Sequence, residues 1–398
     1  MDMTTPIGID SIALAAPQGY LDLGDLAEAR GVPPGKYVEG LGVRRMAVAQ
    51  PWEDPVALAA NAASRLLSEP AIDRERIGLC IVGTETAVDH SKPIAAWLHG
   101  LLGLPQTARV YDARHACFGG TAGLLTALDW IASGSARGRT ALVVCSDIAR
   151  YDLRSPGEPT QGAGAVALLV RERPRLVDIE LGTSGSYSRN VDDFWRPLDR
   201  KEALVDGALS VQCYLDALGG AYAEWKKAAP AGALARRCYH VPYGKMARKA
   251  HRHARRLDGL SEPEADASFA AEVAPSLLLP AEVGNVYTGS LYFAVASLLH
   301  AEAAALEGQR IGLFSYGSGC TAEFFAGRVA EGAAALCASL ALAQPLSSRR
   351  RYSIAEYEAI RAGDTQADRH WTGPGDARAG EFAFVGLESG ARRYLRAR

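Results

Sequence analysis

Residues 111–132 read Tyr-Asp-Ala-Arg-His-Ala-Cys-Phe-Gly-Gly-Thr-Ala-Gly-Leu-Leu-Thr-Ala-Leu-Asp-Trp-Ile-Ala. A short extended run ending at Ala113 leads through His115 to Cys117. Gly119, Gly120 and Thr121 follow, and then Leu124, Leu125, Leu128 and Ile131 recur at helical spacing. Only Thr126 and Asp129 break the apolar surface of that segment, so the spacing predicts a helix buried on most sides. Cys117 then stands at the mouth of a buried helix, where unpaired N–H groups and the helix dipole lower a thiol pKa and favour the thiolate. The glycines beside it let another group approach the sulfur. The competing reading is a small buried Cys filling a turn. The strand–Cys–Gly-Gly–helix context favours a nucleophile.

Working outward, continuous apolar runs at Ile77–Gly83, Ala141–Ser146 and Ala165–Val170 alternate with helical patterns at Leu23–Arg30 and Asp54–Leu67. That alternation predicts an α/β protein whose central sheet is covered on both faces. The polar run Arg171-Glu-Arg-Pro-Arg175 breaks the pattern and divides the chain into halves, residues 1–172 and 173–398. In the second half, Cys238–Tyr243 reads as a strand exit into a helix. Gly284–Ser290 leads into an apolar helix bearing Leu291, Val295, Leu298 and Leu299, and Ile311–Gly317 is a buried strand. Each half thus holds a buried strand, a Gly-rich turn and an almost wholly apolar helix, a layout that suggests duplication without a residue-level repeat. Beyond Ser347 the chain reads as a peripheral helix and closing strands around a Gly373-Pro374-Gly375 turn, with no chemistry.

Composition narrows the function. With 398 residues, 48% apolar and 22% charged, the chain is too long for one small domain. A net charge of −2 gives no global reason to expect nucleic acid or an anionic membrane. The seven cysteines are odd in number and contain no Cys-x-x-Cys, which argues against a disulfide framework or a metal site and for a reducing cytoplasm. The N-terminus lacks the pattern of a signal peptide. No apolar run approaches the ~20 residues that span a bilayer.

Polar residues at the ends of buried strands, beside Gly-rich turns, are where α/β folds place chemistry. Glu85, Cys117, His240 and Asn285 meet that description. A nucleophilic Cys needs a base or an electropositive setting, and a carbonyl substrate needs donors for its developing oxyanion. Taken alone, His240 reads equally as a satisfied core histidine and Glu85 as a cap for the segment after it. A basic run from Lys245 to Arg256 begins three residues after Pro242. It is either a solvated helical face or a clamp for the phosphates of coenzyme A.

Taken together, nine runs resemble the 3-hydroxy-3-methylglutaryl-CoA (HMG-CoA) synthase family of the bacterial mevalonate type. They are Val82–Thr86, His115–Gly123, Asp147–Tyr151, Glu158–Ala165, Asp193–Pro197, Val205–Ser210, His240–Tyr243, Gly284–Tyr292 and Phe314–Gly319. The resemblance implies a thiolase-like fold, two similar halves forming a five-layer α-β-α-β-α arrangement, and a homodimer. It implies an acyltransferase that joins acetyl-CoA to acetoacetyl-CoA and releases HMG-CoA, with no cofactor beyond these CoA esters. Position by position, Cys117 matches the acetylated nucleophile, Glu85 the general acid/base and His240 the histidine that polarises the acceptor. Asn285, Ser318, Thr160 and Ser210 match residues of the acyl pocket, and Lys245 and Lys249 match lysines near CoA. Asp147, Asp193, Tyr151 and Tyr316 match supporting positions. Phe118 stands where the family usually has tyrosine, and Cys320 stands where it varies. Trp52-Glu-Asp-Pro-Val56 is similar to a related branch that builds β-branches on polyketides held by acyl-carrier protein, which offers a carrier-bound acceptor as the alternative. A Cys-His thioester hydrolase and a non-catalytic binding protein are the readings from other classes.

Overall fold

The structure, a computed structural model, describes residues 5–200, 202–364 and 377–398. The Gly373–Gly375 turn lies outside the described residues. The apolar runs form strands as their composition requires: Ile7–Ala15, Ile77–Gly83 and Thr140–Ala149 are buried at every position, and Gly162–Glu172 at all but its last two. Strands buried on both faces need covering helices on both sides.

One group of strands runs Ile7–Ala15, Gly162–Glu172, Thr140–Ala149, Ile77–Gly83, Arg109–Ala113. The first two junctions are antiparallel and the next two parallel. The second group starts from Val177–Ile179 and Gly185–Ser188, both antiparallel to Thr321–Val329. It continues antiparallel to Arg310–Gly317 and parallel to Arg236–Tyr239. The groups join edge to edge through Gly8↔Asp178 and Ile9↔Val177, giving ten strands in all. Both groups use the same local unit, in which a buried helix feeds a strand that returns as an antiparallel neighbour. In the first the helix is Gly119–Ala132, and in the second it is Ser290–Leu306.

These two helices set the site. The nucleophile helix Gly119–Ala132 buries Leu124, Ala127, Leu128 and Ile131 and exposes Thr126 and Asp129. Tyr292 of the core helix lies 2.8 Å from the Thr121 hydroxyl, a buried link between the two. The apolar stretch Tyr287–Leu306 is long and apolar enough to cross a membrane, contrary to the expectation that no run approaches that length. Some 72% of its most apolar window is buried inside the protein, so its apolarity is accounted for by packing.

Glycine permits the close approach at the helix start. A Cβ on Gly83 would overlap the Gly120 backbone, and one on Gly120 would sit 2.8 Å from the Thr288 carbonyl and overlap the Cys145 sulfur. The helix mouth is thereby pressed against the end of the strand Ile77–Gly83.

The C-terminal segment is less peripheral than its composition implies. The helix Ile354–Asp364 buries Tyr357, whose hydroxyl accepts from Gln161 Nε2 at 2.8 Å and donates to Glu158 at 3.2 Å. Arg361 donates to Gln161 and to the Tyr151 carbonyl. These contacts brace Tyr151 and Thr160 from behind.

Gly83→Ala forces two backbones apart, and overpacking of that kind costs about 1–3 kcal/mol or more. The expected result is a lower Tm together with a loss of activity larger than that of Gly100→Ala, where a Cβ on the helix Ile94–Leu102 meets nothing within 4 Å and the backbone is helical. Unfolding curves and rates measured side by side check it.

Candidate active site

The strand Ile77–Gly83 ends in Thr84 and Glu85, and the parallel strand Thr140–Ala149 carries Asp147 beside them. Asp147 is fully buried and accepts six hydrogen bonds. Its Oδ1 takes the Thr84 hydroxyl (2.9 Å), Glu85 N (2.9 Å), Thr86 N (3.0 Å) and the Thr86 hydroxyl (2.7 Å). Its Oδ2 takes Thr288 N (3.1 Å) and the Thr288 hydroxyl (2.5 Å). One carboxylate thus ties the loop carrying Glu85 to the loop carrying Asn285.

Asn285 is fixed through its oxygen. Oδ1 accepts from Tyr287 N and from the Ser290 hydroxyl, each at 2.9 Å, so the amide N–H groups are what Asn285 offers a ligand. Tyr287 holds φ 42° and Ala116 φ 35°, a region non-glycine residues rarely occupy, and the two positions flank Asn285 and Cys117. His240 follows the strand Arg236–Tyr239. Its N–H donates to the Phe314 carbonyl at 2.7 Å and its carbonyl accepts the Tyr214 hydroxyl at 2.8 Å, which leaves the imidazole to face inward. Asp193 performs a similar task on the opposite wall, accepting the Tyr316 hydroxyl (2.7 Å) and Gly319 N (3.0 Å) and so placing Ser318.

These residues meet at a mostly apolar cavity of about 210 Å³. Six of the nine residues nominated from sequence line it: Cys117, Thr160, Ser210, His240, Asn285 and Ser318. Phe194, Tyr214, Tyr243 and Tyr287 complete an aromatic wall. Glu85 stands behind the lining with Oε1 shut from solvent and without a hydrogen-bond partner. Lys245 and Lys249 lie outside the lining on the helix Gly244–Leu257, whose Met246 does line it.

The electrostatics correct one expectation. The Cys117 thiol is not depressed by the helix mouth but raised well above its ordinary pKa, first by burial and then by Glu85, Asp147 and Asp193, with Arg196 opposing. Nearby carboxylates and a dry setting outweigh the dipole of one helix. Burial and then Asp147 push Glu85 up to about 8, while Arg196 pulls it down. Burial lowers His240 to about 3, so its ring is neutral. The basic run also differs from a continuous clamp. Arg248 and Arg252 pair with Asp266 and Arg255 with Glu272, because the helix Glu262–Glu272 packs its carboxylates along them, and Arg255 also pairs with Asp258 at the end of its own helix. Lys245 and Lys249 have no carboxylate partner among the described residues.

Sequence reading missed Arg196 as the cation acting on both Glu85 and Cys117, although the run Phe194-Trp-Arg-Pro197 was in view. Its only sequence signal is a lone Arg among aromatic residues.

A thiol, an unpartnered carboxyl and a neutral imidazole around one apolar pocket, on duplicated helix–strand units, define a condensing enzyme of the thiolase-like fold. The comparisons agree in detail. The model of the hydroxymethylglutaryl-coenzyme A synthase N-terminal region matches residues 3–174, and that of the C-terminal region matches 177–268 and 251–370. The chain is 41% identical over 367 residues to the hydroxymethylglutaryl-CoA synthase of Enterococcus faecalis, covering 91% of this chain and 93% of that one. A solved structure of MvaS in complex with 3-hydroxy-3-methylglutaryl coenzyme A superposes with a TM-score of 0.95 at 50% identity, covering 100% of both chains. The polyketide 3-hydroxy-3-methylglutaryl-ACP synthase PksG of Bacillus subtilis is 33% identical over 89% of this chain and 87% of its own. The chain belongs to the hydroxymethylglutaryl-CoA synthase family, acyl-transferring enzymes that condense two acyl units.

Any step that needs Glu85 ionised must rise with pH through about 8. Arg196 stabilises that carboxylate, so Arg196→Met raises the Glu85 pKa and moves the limb to higher pH. A pH profile of condensation checks this, and an unmoved limb would mean that Arg196 does not act on Glu85.

Proposed function

We propose that the protein condenses acetyl-CoA with acetoacetyl-CoA through an acetyl-Cys117 intermediate and releases HMG-CoA and CoA. The observation that carries the site assignment is the convergence of Cys117, His240 and Asn285 on one apolar cavity with Glu85 Oε1 unpartnered behind it. Cys117 takes the acetyl group as its thiol proton departs and CoA leaves as the thiol. Once acetylated, Cys117 no longer carries a titratable proton. The Glu85 carboxylate then removes a proton from the acetyl methyl, and the carbanion attacks the acceptor ketone. Neutral His240 donates a hydrogen bond to that oxygen, and the proton held by Glu85 is returned to it as it becomes the alcohol. Backbone N–H groups at Cys117 and near Ser318, with the Asn285 amide, stabilise the oxyanions. Water finally cleaves the Cys117 thioester.

Thr160 and Ser210 shape the acyl pocket in this reading, and Lys245 and Lys249 hold the distal, phosphate-bearing part of CoA. The stretch that raised a carrier-bound acceptor has a structural task. Trp52 is buried, Glu53 accepts from Gln18 N and Gln50 N, and Asp54 caps the helix Pro55–Leu67 through Ala57 N. None of Trp52–Val56 lines the cavity. Free CoA esters are therefore the proposed substrates, and HMG-CoA formation from the two esters, set against a carrier-bound acceptor, tests that choice. Division at residues 172/173, a homodimer and a reducing cytoplasm complete the proposal. The cysteines, none of them in a disulfide, fit that compartment.

Glu85→Ala should still accept acetyl from acetyl-CoA on Cys117 yet lose about 10²–10⁴-fold in HMG-CoA formation. Mass analysis of the Cys117 peptide decides it. A variant that cannot be acetylated would make Glu85 the activator of the thiol. Lys245→Ala and Lys249→Ala should raise KM for the CoA esters with kcat little changed, the pattern of lost uniform binding. A collapse of kcat at constant KM would place them in the chemistry.

A further inference from the structure

The strands that deliver Glu85 and Asp147 to the active site begin at the opposite end of the sheet, about 20 Å away at ~3.3 Å per residue. There, a second cavity of about 150 Å³ is lined by Arg76, Arg139, Arg171 and Arg173, with Glu172, Gly138 and Thr140. A water needs roughly 10–15 Å³ by that measure, so the space admits a body several times larger. Four arginines and a single acidic residue thus share its lining.

The arginines are placed by the fold. Arg139 lies across the start of the strand Ile77–Gly83, in room that exists because residue 78 is glycine; a Cβ there would sit 2.7 Å from Arg139 Nε. Its Nε donates to the Ala136 carbonyl at 3.1 Å and its guanidinium sits 5.5 Å from the Trp130 ring centroid. Arg76 is pinned by one bond, Nη2 to the Gly138 carbonyl at 2.5 Å. Arg171 donates Nε to the Glu172 carbonyl at 3.2 Å. Its nearest carboxylate, Asp10 at 4.0 Å, is already held in a fork by Arg175 at 2.9 and 2.6 Å. Arg173 has no side-chain partner among the described residues, and its backbone is held at φ 52° with N–H on the Pro6 carbonyl. The remaining N–H groups of the four therefore stay available.

Like charges gathered at this spacing repel, and an ordinary surface relieves such repulsion with carboxylates. We propose that the pocket is a binding site for a phosphate-type oxyanion, the phosphate or diphosphate end of a small phosphorylated metabolite. Planar guanidiniums with paired donors match the oxygens of phosphate bidentately, which chloride cannot offer, and a phosphate or diphosphate has more oxygens and charge to engage several of them than a single carboxylate has. The site is separate from the condensation site, so its occupant acts on stability rather than on the reacting carbons.

The test is thermal unfolding of the whole chain at fixed ionic strength with inorganic pyrophosphate, inorganic phosphate or glycerol 2-phosphate, and with sodium chloride as control. Ligand that binds only the folded state raises Tm with its concentration. The expected result is a saturable rise with pyrophosphate, absent with chloride and lost in Arg173→Gln and Arg139→Gln but kept in Lys245→Ala. Response to glycerol 2-phosphate assigns the site to phosphate esters; response to the inorganic ions alone assigns it to free phosphate. Arg173→Gln without ligand should melt no lower than the parent, since it removes a repelling charge and no contact. No rise with any phosphate, a rise equal to that in chloride, or one that survives Arg173→Gln and disappears in Lys245→Ala would overturn the proposal. The last result would place the anion at the mouth of the condensation site.

Discussion

The buried carboxylate of Asp147 is the constraint on which the rest depends. No cation pairs with it among the described residues, and six N–H and O–H donors offset part of its removal from water, burial still leaving its pKa raised. Those donors come from residues 84–86 and from Thr288, so satisfying one charge fixes the strand end that bears Glu85 and the loop that bears Asn285. The Thr288 hydroxyl also lies 2.9 Å from the Gly83 carbonyl, where Gly120 and Gly83 already press together. Removing any donor would leave part of a buried anion unmet, so the cluster holds together as a unit.

Asp147 also sets the chemistry through its field. Its charge is the second cause, after burial, of the raised Glu85 pKa, and it adds to the elevation of Cys117. Two anions and an ionisable thiol within one dry pocket cannot all carry charge. Glu85 ionises first, at about 8, and Cys117 remains a thiol until a thioester arrives to take the sulfur. The proposed order, acetylation before proton abstraction, agrees with that competition.

Much of this was legible in the chain. The nucleophile helix, the continuous strands and the polar residues at their ends could be read because burial on both faces leaves an unbroken apolar run, and a Cys before Gly-Gly has few structural uses. What the sequence could not show was which charges share a volume. The helix dipole at Cys117 was visible locally, whereas Asp193 and Arg196, 76 and 79 residues further along, were not tied to it by any spacing. The basic run stayed open between a solvated face and a clamp for the same reason: the partners Asp266 and Glu272 stand on the next helix, and only packing reveals that they pair Arg248, Arg252 and Arg255. The C-terminal helix was legible but its bracing role was not, because Tyr357 and Arg361 act through Gln161 and the Tyr151 carbonyl, about 200 residues away in sequence.

The neutrality of His240 has a chemical reason as well as a physical one. Burial at the exit of Arg236–Tyr239, with Tyr214 at 6.3 Å between ring centroids, denies the imidazolium its hydration, and no carboxylate compensates. A cationic His here would stabilise the Glu85 carboxylate and the Cys117 thiolate, making the first a weaker base and the second a better leaving group. In the proposed reaction a neutral ring would donate a hydrogen bond to the acceptor oxygen without either effect. It would leave Glu85 basic enough to take a carbon-bound proton and keep the Cys117 thioester intact until the new carbon–carbon bond has formed.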